Sequence, residues 1–158
     1  MALIAGGRLV AAVSDAGGLG ILGGGYAGAL GGEPDLEKEL ALVRGHKFGV
    51  GFISWALEAA LKHSPYCMFL SFGEPKTYAK KIHDTGAKLI CQVQTLRHAE
   101  QALDAGADAI VAQGTEAGGH GAARSTLPLV PEVADYLAKH SPKTLLLAAG
   151  GIDRKSVV

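Results

Sequence analysis

The sequence has little from which to build a disulfide framework, a membrane span or a charged recognition surface. Two cysteines stand in 158 residues. Each lies inside an apolar run, "YCMFL" for Cys67 and "LICQV" for Cys91, which reads as reduced, buried packing in an intracellular, cytoplasmic protein. No run approaches the ~20 apolar residues that cross a bilayer. The N-terminal "MALIAGGRLVAAV" breaks at Gly6, Gly7 and Arg8, unlike a basic segment followed by an unbroken apolar core, so no targeting signal is expected. Charge of one sign is missing too: 15 basic residues balance 15 acidic ones, leaving no global field to draw in nucleic acid or an anionic membrane. Neither partner is expected, and small-molecule chemistry is favoured. There is no linker, low-complexity tract or usable internal repeat. What is present is 48% hydrophobic content, enough for one cored domain, and 23 glycines.

Apolar or β-branched runs alternate with helical patterns along the chain. Strands are predicted at "LGILGGG", "FGVGFISW", "YCMFLSFG", "AKLICQVQ", "DAIVAQG" and "TLLLAAGG". Helices are predicted from Arg8 to Ala16 and at "EPDLEKELALVRG", "ALEAALKHS", "PKTYAKKIHDTG", "TLRHAEQALDAGA" and "PLVPEVADYLAKH". Pro34 and the acids that open the second helix, with Arg44 near its end, suit the helix dipole. Such alternation, with nearly continuous apolar strands, is the signature of a parallel sheet covered on both faces. The unusual residues collect at the C-terminal ends of strands: Gly23 to Gly25, Ser71 to Gly73, Gln92 to Gln94, Gln113 to His120, and Gly150-Gly151. Barrels and doubly wound sheets both keep functional groups there. A complete (β/α)8 barrel takes about 250 residues, so the residues alone leave an incomplete barrel or an open doubly wound sheet.

Among the candidate sites, "LLLAAGGI" runs a strand into Gly150-Gly151, whose backbone N–H groups could hold phosphate oxygens, or which could be only a tight strand-to-helix turn. Gly18, Gly20 and Gly23 fit G-x-G-x-x-G loosely, but they follow a helix and enter a strand, the reverse of a dinucleotide site. Gln92 alternates with Cys91 and Val93, so its amide faces the other side of its strand, either toward a ligand or toward backbone partners. Gln113 ends its strand where an amide can both donate to and accept from the edge of a heterocycle. Five histidines (His46, His63, His83, His98 and His140) sit at helix ends or surfaces where a solvated role is expected. His120 lies instead in "AQGTEAGGHGA", where Gly118, Gly119 and Gly121 remove bulk so that a planar ligand can approach. Histidine is also the side chain suited to moving a proton near neutral pH, although a loop histidine with no chemical role stays open. No second ligand at metal spacing accompanies it, so no metal site is expected. Ser14 and Asp15 with His120 do not form a hydrolase set, because no G-x-S-x-G elbow exists.

In their order and spacing, "AAVSDAGGLGILGGG", "FGVGFISW", "LSFG", "ICQVQT", "DAIVAQGTEAGGHGA" and "LLAAGGI" resemble the nitronate monooxygenase family, formerly the 2-nitropropane dioxygenases. The resemblance runs from about Gly6 to Ile152. It implies an α/β fold of the (β/α)8 TIM-barrel type, here incomplete at about six βα units, and one partial FMN-binding domain over residues 1–158. It also implies FMN-dependent oxidation of nitronates or nitroalkanes by O2 to carbonyl compounds and nitrite, with the cofactor carrying the hard step. His120 falls on the family's catalytic histidine, which takes the α-proton of a neutral nitroalkane or orients the substrate. Gln113, Gly118 and Gly119 fall on the loop that contacts FMN, Gln92 near its ring, and Gly150 and Gly151 on the turn that binds its phosphate.

The chain also departs from the family pattern. A first strand ending in a P-M-A motif and a last βα portion with a G-T phosphate contact are not matched, and Gly51 stands where many members carry Asn. The sequence thus resembles a truncated member, expected to bind FMN weakly or not at all and to self-associate through open barrel edges. An FMN-dependent enoyl-thioester (enoyl-ACP) reductase of the same fold, and an inactive fragment that only associates with other proteins, are the alternatives.

Overall fold

The computed structural model describes residues 5–24, 36–52 and 57–153. Six helices and six strands alternate in it: α1 (Gly7–Asp15), β1 (Gly20–Gly23), α2 (Leu36–Leu42), β2 (Phe48–Phe52), α3 (Leu57–Leu61), β3 (Cys67–Ser71), α4 (Lys76–Asp84), β4 (Lys88–Val93), α5 (Leu96–Asp104), β5 (Ala109–Gln113), α6 (Thr126–His140) and β6 (Leu145–Ala149). Each element expected from the alternation is found. Gly25, Pro34, the 53–55 end of "FGVGFISW" and the 154–158 tail lie outside the described residues. The chain divides into two compact units, Met1–Leu89 and Ile90–Val158.

In the first unit β1, β2 and β3 pair in parallel and in chain order, with Gly20 beside Phe48 and Gly49 beside Cys67. Two glycines of this unit answer to packing. A Cβ on Gly20 would stand 2.4 Å from the Val10 carbonyl oxygen, so only glycine lets α1 lie this close to β1. A Cβ on Gly49 would stand 2.4 Å from Cys67 Sγ. The order α1, glycines, β1 is the one that excludes a dinucleotide fingerprint. Helix α1 has no side-chain cap of its own. Glu39 Oε2 accepts from Gly7 N at 2.5 Å instead, placing a carboxylate at the positive end of the helix dipole.

Ser14 and Asp15, rejected above as part of a hydrolase set, are structurally engaged. Ser14 Oγ donates to the Lys47 carbonyl at 2.9 Å, and Asp15 meets His46 Nδ1 at 3.0 Å. His63 departs from the solvated role expected of it: its side chain is 17% exposed and sits 2.8 Å from Glu37 Oε2. Both cysteines are buried and unpaired with each other. Burial pushes the thiol of Cys67 up to about 11 and that of Cys91 up to about 12, so both are inert thiols at neutral pH.

In the second unit β5 lies between β4 and β6, again parallel and in chain order, with Val93 beside Ala112 and Gln113 beside Ala149. A doubly wound sheet reverses its strand order at a switch point. Neither unit does so, and consecutive neighbours are what a barrel requires. Strand β5 is buried along its whole length, covered in part by Leu129, Val133 and Leu137, one face of α6 at four-residue spacing. Thr95 caps α5 by accepting from His98 N at 3.2 Å. Strand β6 is the exposed member, with Leu145 at 67% and Leu147 at 49% exposure.

The contrast between crowded and open glycines is measurable. Gly20→Ala should cost about 1–3 kcal/mol of stability because the new methyl meets backbone. Gly118→Ala, whose Cβ meets nothing within 4 Å, should stay within about 0.5 kcal/mol of the parent. Urea denaturation midpoints of the two variants decide it, and equal shifts would contradict the packing account.

Candidate active site

Strands β4 and β5 deliver three carboxamides to one place. Gln92 and Gln94 are two residues apart and so share a side of β4's course. The register that sets Val93 beside Ala112 continues to bring Gln94 alongside Gln113. Gln113 Oε1 accepts from Gln92 Nε2 at 2.7 Å and from Gln94 Nε2 at 2.9 Å. Its own Nε2 donates to the His120 carbonyl at 3.1 Å. Gln94 is 2% and Gln113 5% exposed, and they are the buried polar side chains among the described residues. Gln92 is half-buried, the most exposed member of the cluster.

After Gln113 the chain leaves the sheet in a compact excursion that closes on itself, since Thr115 N donates to the Arg124 carbonyl at 2.8 Å. Ala117 N donates to the Gly114 carbonyl at 3.1 Å, tightening the first turn. His120 is exposed at the far side of this loop. Gly118, Gly119 and Gly121 surround it, and a Cβ at any of them would meet nothing within 4 Å. Gly119 additionally has φ of +82°, which an L side chain would resist.

The Gly150-Gly151 turn lies against the base of the same loop. Gly114 N donates to the Ala149 carbonyl at 2.9 Å, and Gly150 and Gly151 have φ of +118° and +66°. A Cβ on Gly150 would stand 2.7 Å from Thr126 Oγ1 and 2.9 Å from Ala117 N. Thr126, the first residue of α6, ties these pieces together. Its N and Oγ1 approach Glu116 Oε2 at 2.8 and 2.7 Å, and Oγ1 lies 3.0 Å from the Gly150 carbonyl. One hydroxyl hydrogen cannot serve both acceptors at once, and the charged carboxylate is the stronger. The hydrogen bonds from Thr126 hold the Glu116 carboxyl below the usual carboxylate range.

The structure therefore brings together Gln92 with Gln113, Gln113 with the backbone of His120, and the His120 loop with the Gly150-Gly151 turn. It does not direct Glu116 toward His120; that carboxylate serves the start of α6. Gln94 and Glu116 fell inside the strand-end stretches marked from the sequence but were given no role there, and Thr126 lay outside those stretches. The spacing Q-V-Q, two amides in phase on one strand, was the signal for Gln94. Nothing local pointed to Thr126, whose partners lie 10 and 24 residues away.

Residues 39–158 match the family model described as nitronate monooxygenase. A nitronate monooxygenase of Neurospora crassa is 34% identical, over all of this chain and 53% of its own length. Among solved structures, FabK from Thermotoga maritima superposes with a TM-score of 0.81 at 33% identity, covering 96% of this chain and 49% of that one. A nitroalkane oxidase of Streptomyces ansochromogenes superposes with a TM-score of 0.75 at 24% identity, a likeness of fold, covering 94% of this chain and 56% of that one. The chain spans about half the length of these relatives. With these neighbours the fold is of the TIM-barrel type, of which the chain carries part.

The Glu116 contact gives a pH signature. Its carboxyl is held low in the folded chain, so its contribution to stability is present above the ordinary value of 4.5 and is lost as pH falls through the lowered folded value. Glu116→Gln, which keeps the shape without the charge, should melt below the parent at pH 7, and the gap should close under acid. A gap that persists unchanged at pH 3 would assign the effect to packing instead.

Proposed function

The chain belongs to the nitronate monooxygenase family, and on that premise we propose that it carries the flavin and substrate site of an FMN-dependent oxidoreductase that converts nitronates or nitroalkanes and O2 to carbonyl compounds and nitrite. The family is flavin-dependent in general. The observation that carries the reading is the meeting of the carboxamide cluster, the His120 loop and the Gly150-Gly151 turn at the C-terminal ends of β4, β5 and β6. The residues fit a flat heterocycle bearing a tethered anion. Neutral amides offer both donors and acceptors, the glycines beside His120 add no bulk, and the two glycines after β6 have positive φ, as backbone turns that bind anions often do. Glu116, a carboxylate beside the turn, is already spent on the α6 N-terminus.

In this proposal Gln92 and Gln113 face the edge of the flavin ring, Gly118 and Gly119 give it and the substrate room, and Gly150 and Gly151 hold the phosphate. FMN, when bound, supplies the redox chemistry that removes electrons from the nitronate and delivers them to O2. His120 accepts the α-proton of a neutral nitroalkane and holds the resulting anion in place. Its exposure leaves it a path to return that proton to solvent. Self-association would rest on the exposed leucines of β6, Leu145 and Leu147. A second reading, an FMN-dependent enoyl-thioester reductase, keeps the same flavin site, and the likeness to FabK favours retaining it.

Oxygen uptake in the presence of added FMN separates these. His120→Ala should lower turnover of a neutral nitroalkane by about 10²–10⁴-fold, the usual worth of a positioned base. Turnover of the preformed nitronate, which has no α-proton to lose, should fall far less. Equal losses on both substrates would remove the base role, and NADH oxidation with an enoyl thioester in place of oxygen uptake would favour the reductase.

A further inference from the structure

Gln94 is the most deeply buried polar side chain described, and none of the roles above uses it. A carboxamide that costs this much to bury is retained only where its hydrogen bonds are made. Its Nε2 donates to Gln113 Oε1 at 2.9 Å. The direction of that bond is not free. The His120 carbonyl can only accept, so the Gln113 atom 3.1 Å from it must be the nitrogen. Gln113 then turns its oxygen to β4, and an oxygen needs donors there. Gln94 and Gln92 both supply one. If Gln94 offered no hydrogen, the Gln113 amide would lose one of the three bonds that oppose its rotation. In the rotated state, its oxygen would face the oxygen of His120.

We propose that Gln94 is a positioning residue that acts through Gln113 to fix the backbone of the His120 loop. Its side-chain hydrogen bond goes to Gln113, not to His120. Its effect runs from β4 to Gln113 and from Gln113 to the His120 carbonyl, and it ends in the loop whose amides at Gly114, Thr115 and Ala117 are bonded to Ala149, Arg124 and Gly114. The catalytic consequence rests on the function proposed above, whereas the conformational one does not. A distinguishing control follows from the same geometry: the acceptor is a backbone oxygen, so His120→Ala keeps it.

Hydrogen exchange by NMR tests the idea on the full chain. Gln94→Met keeps length and shape but has no hydrogen to give. It should raise exchange at the amides of Gly114, Thr115 and Ala117 at least tenfold, while Ile110 and Val111 in the middle of β5 stay within twofold. Gln113→Met should do the same, and because Gln94 acts only through Gln113, the double variant should be no worse than Gln113→Met alone. His120→Ala should leave all five amides unchanged, even where it abolishes turnover, so failure of the catalytic reading and failure of this one are told apart. Unchanged loop exchange in Gln94→Met, a uniform rise across β5 and the loop, or additive effects in the double variant would each overturn the proposal. So would a Gln94→Met chain that does not fold while Gln113→Met does, since Gln94 would then serve the core.

Discussion

A carboxamide has two ends that are alike in shape and opposite in hydrogen-bonding sense, so burying one leaves its orientation to its neighbours. At the C-terminal end of β5 that choice is settled by a backbone carbonyl. The oxygen of His120 demands the nitrogen of Gln113, the oxygen of Gln113 demands the nitrogens of Gln92 and Gln94, and one acceptor thereby sets three side chains. The same bonds read in reverse hold the loop: Gln92 on β4 and Gln94 just past its end brace the amide that holds the histidine's backbone. Satisfied in this way, a buried polar cluster stiffens its surroundings, whereas the same amides unsatisfied would be costly.

The loop is held at more than one point. Thr115 and Arg124 close its neck, and Glu116 fastens its first turn to the start of α6 through both the N–H and hydroxyl of Thr126. The absence of side chains is graded along it. Gly114 and Gly150 at the base are glycines because Thr126 and Ala117 leave no room, while Gly118, Gly119 and Gly121 near His120 face open space. Crowded glycines lock the base, and open ones leave the neighbourhood of the histidine accessible to a ligand.

Fold-level features were legible because they depend on local pattern. Alternating apolar runs gave the six strands, and Pro75 and Gly86 bracketed α4 as they should. The choice between barrel and doubly wound sheet was not legible, since it depends on which strands become neighbours. The in-order pairing of β1 to β3 and of β4 to β6 favours the barrel, and the structural neighbours establish it. Gln92, Gln113 and the glycine loop stood out as polar or bulk-free residues ending apolar strands. Gln94 did not, because its meaning comes from a residue 19 positions away. Glycine-rich "AGGLGILGGG" was conspicuous for a reason unrelated to ligands: Gly20 is set by the Val10 carbonyl of the helix packed on it. His63 shows the converse, a helix-end histidine that tertiary packing brings to Glu37.

The most direct measurement is the environment of the Gln113 side-chain amide in the isotopically labelled chain, read from proton–proton Overhauser effects. If one carbonyl orients the cluster, the Gln113 Nε2 protons lie against the backbone of His120 and Gly121, and the Gln92 and Gln94 amide protons converge on the far side of the same carboxamide. If the Gln113 protons instead point toward β4 and show no contact with the loop, the orientation is reversed and the His120 loop is held by something other than this cluster.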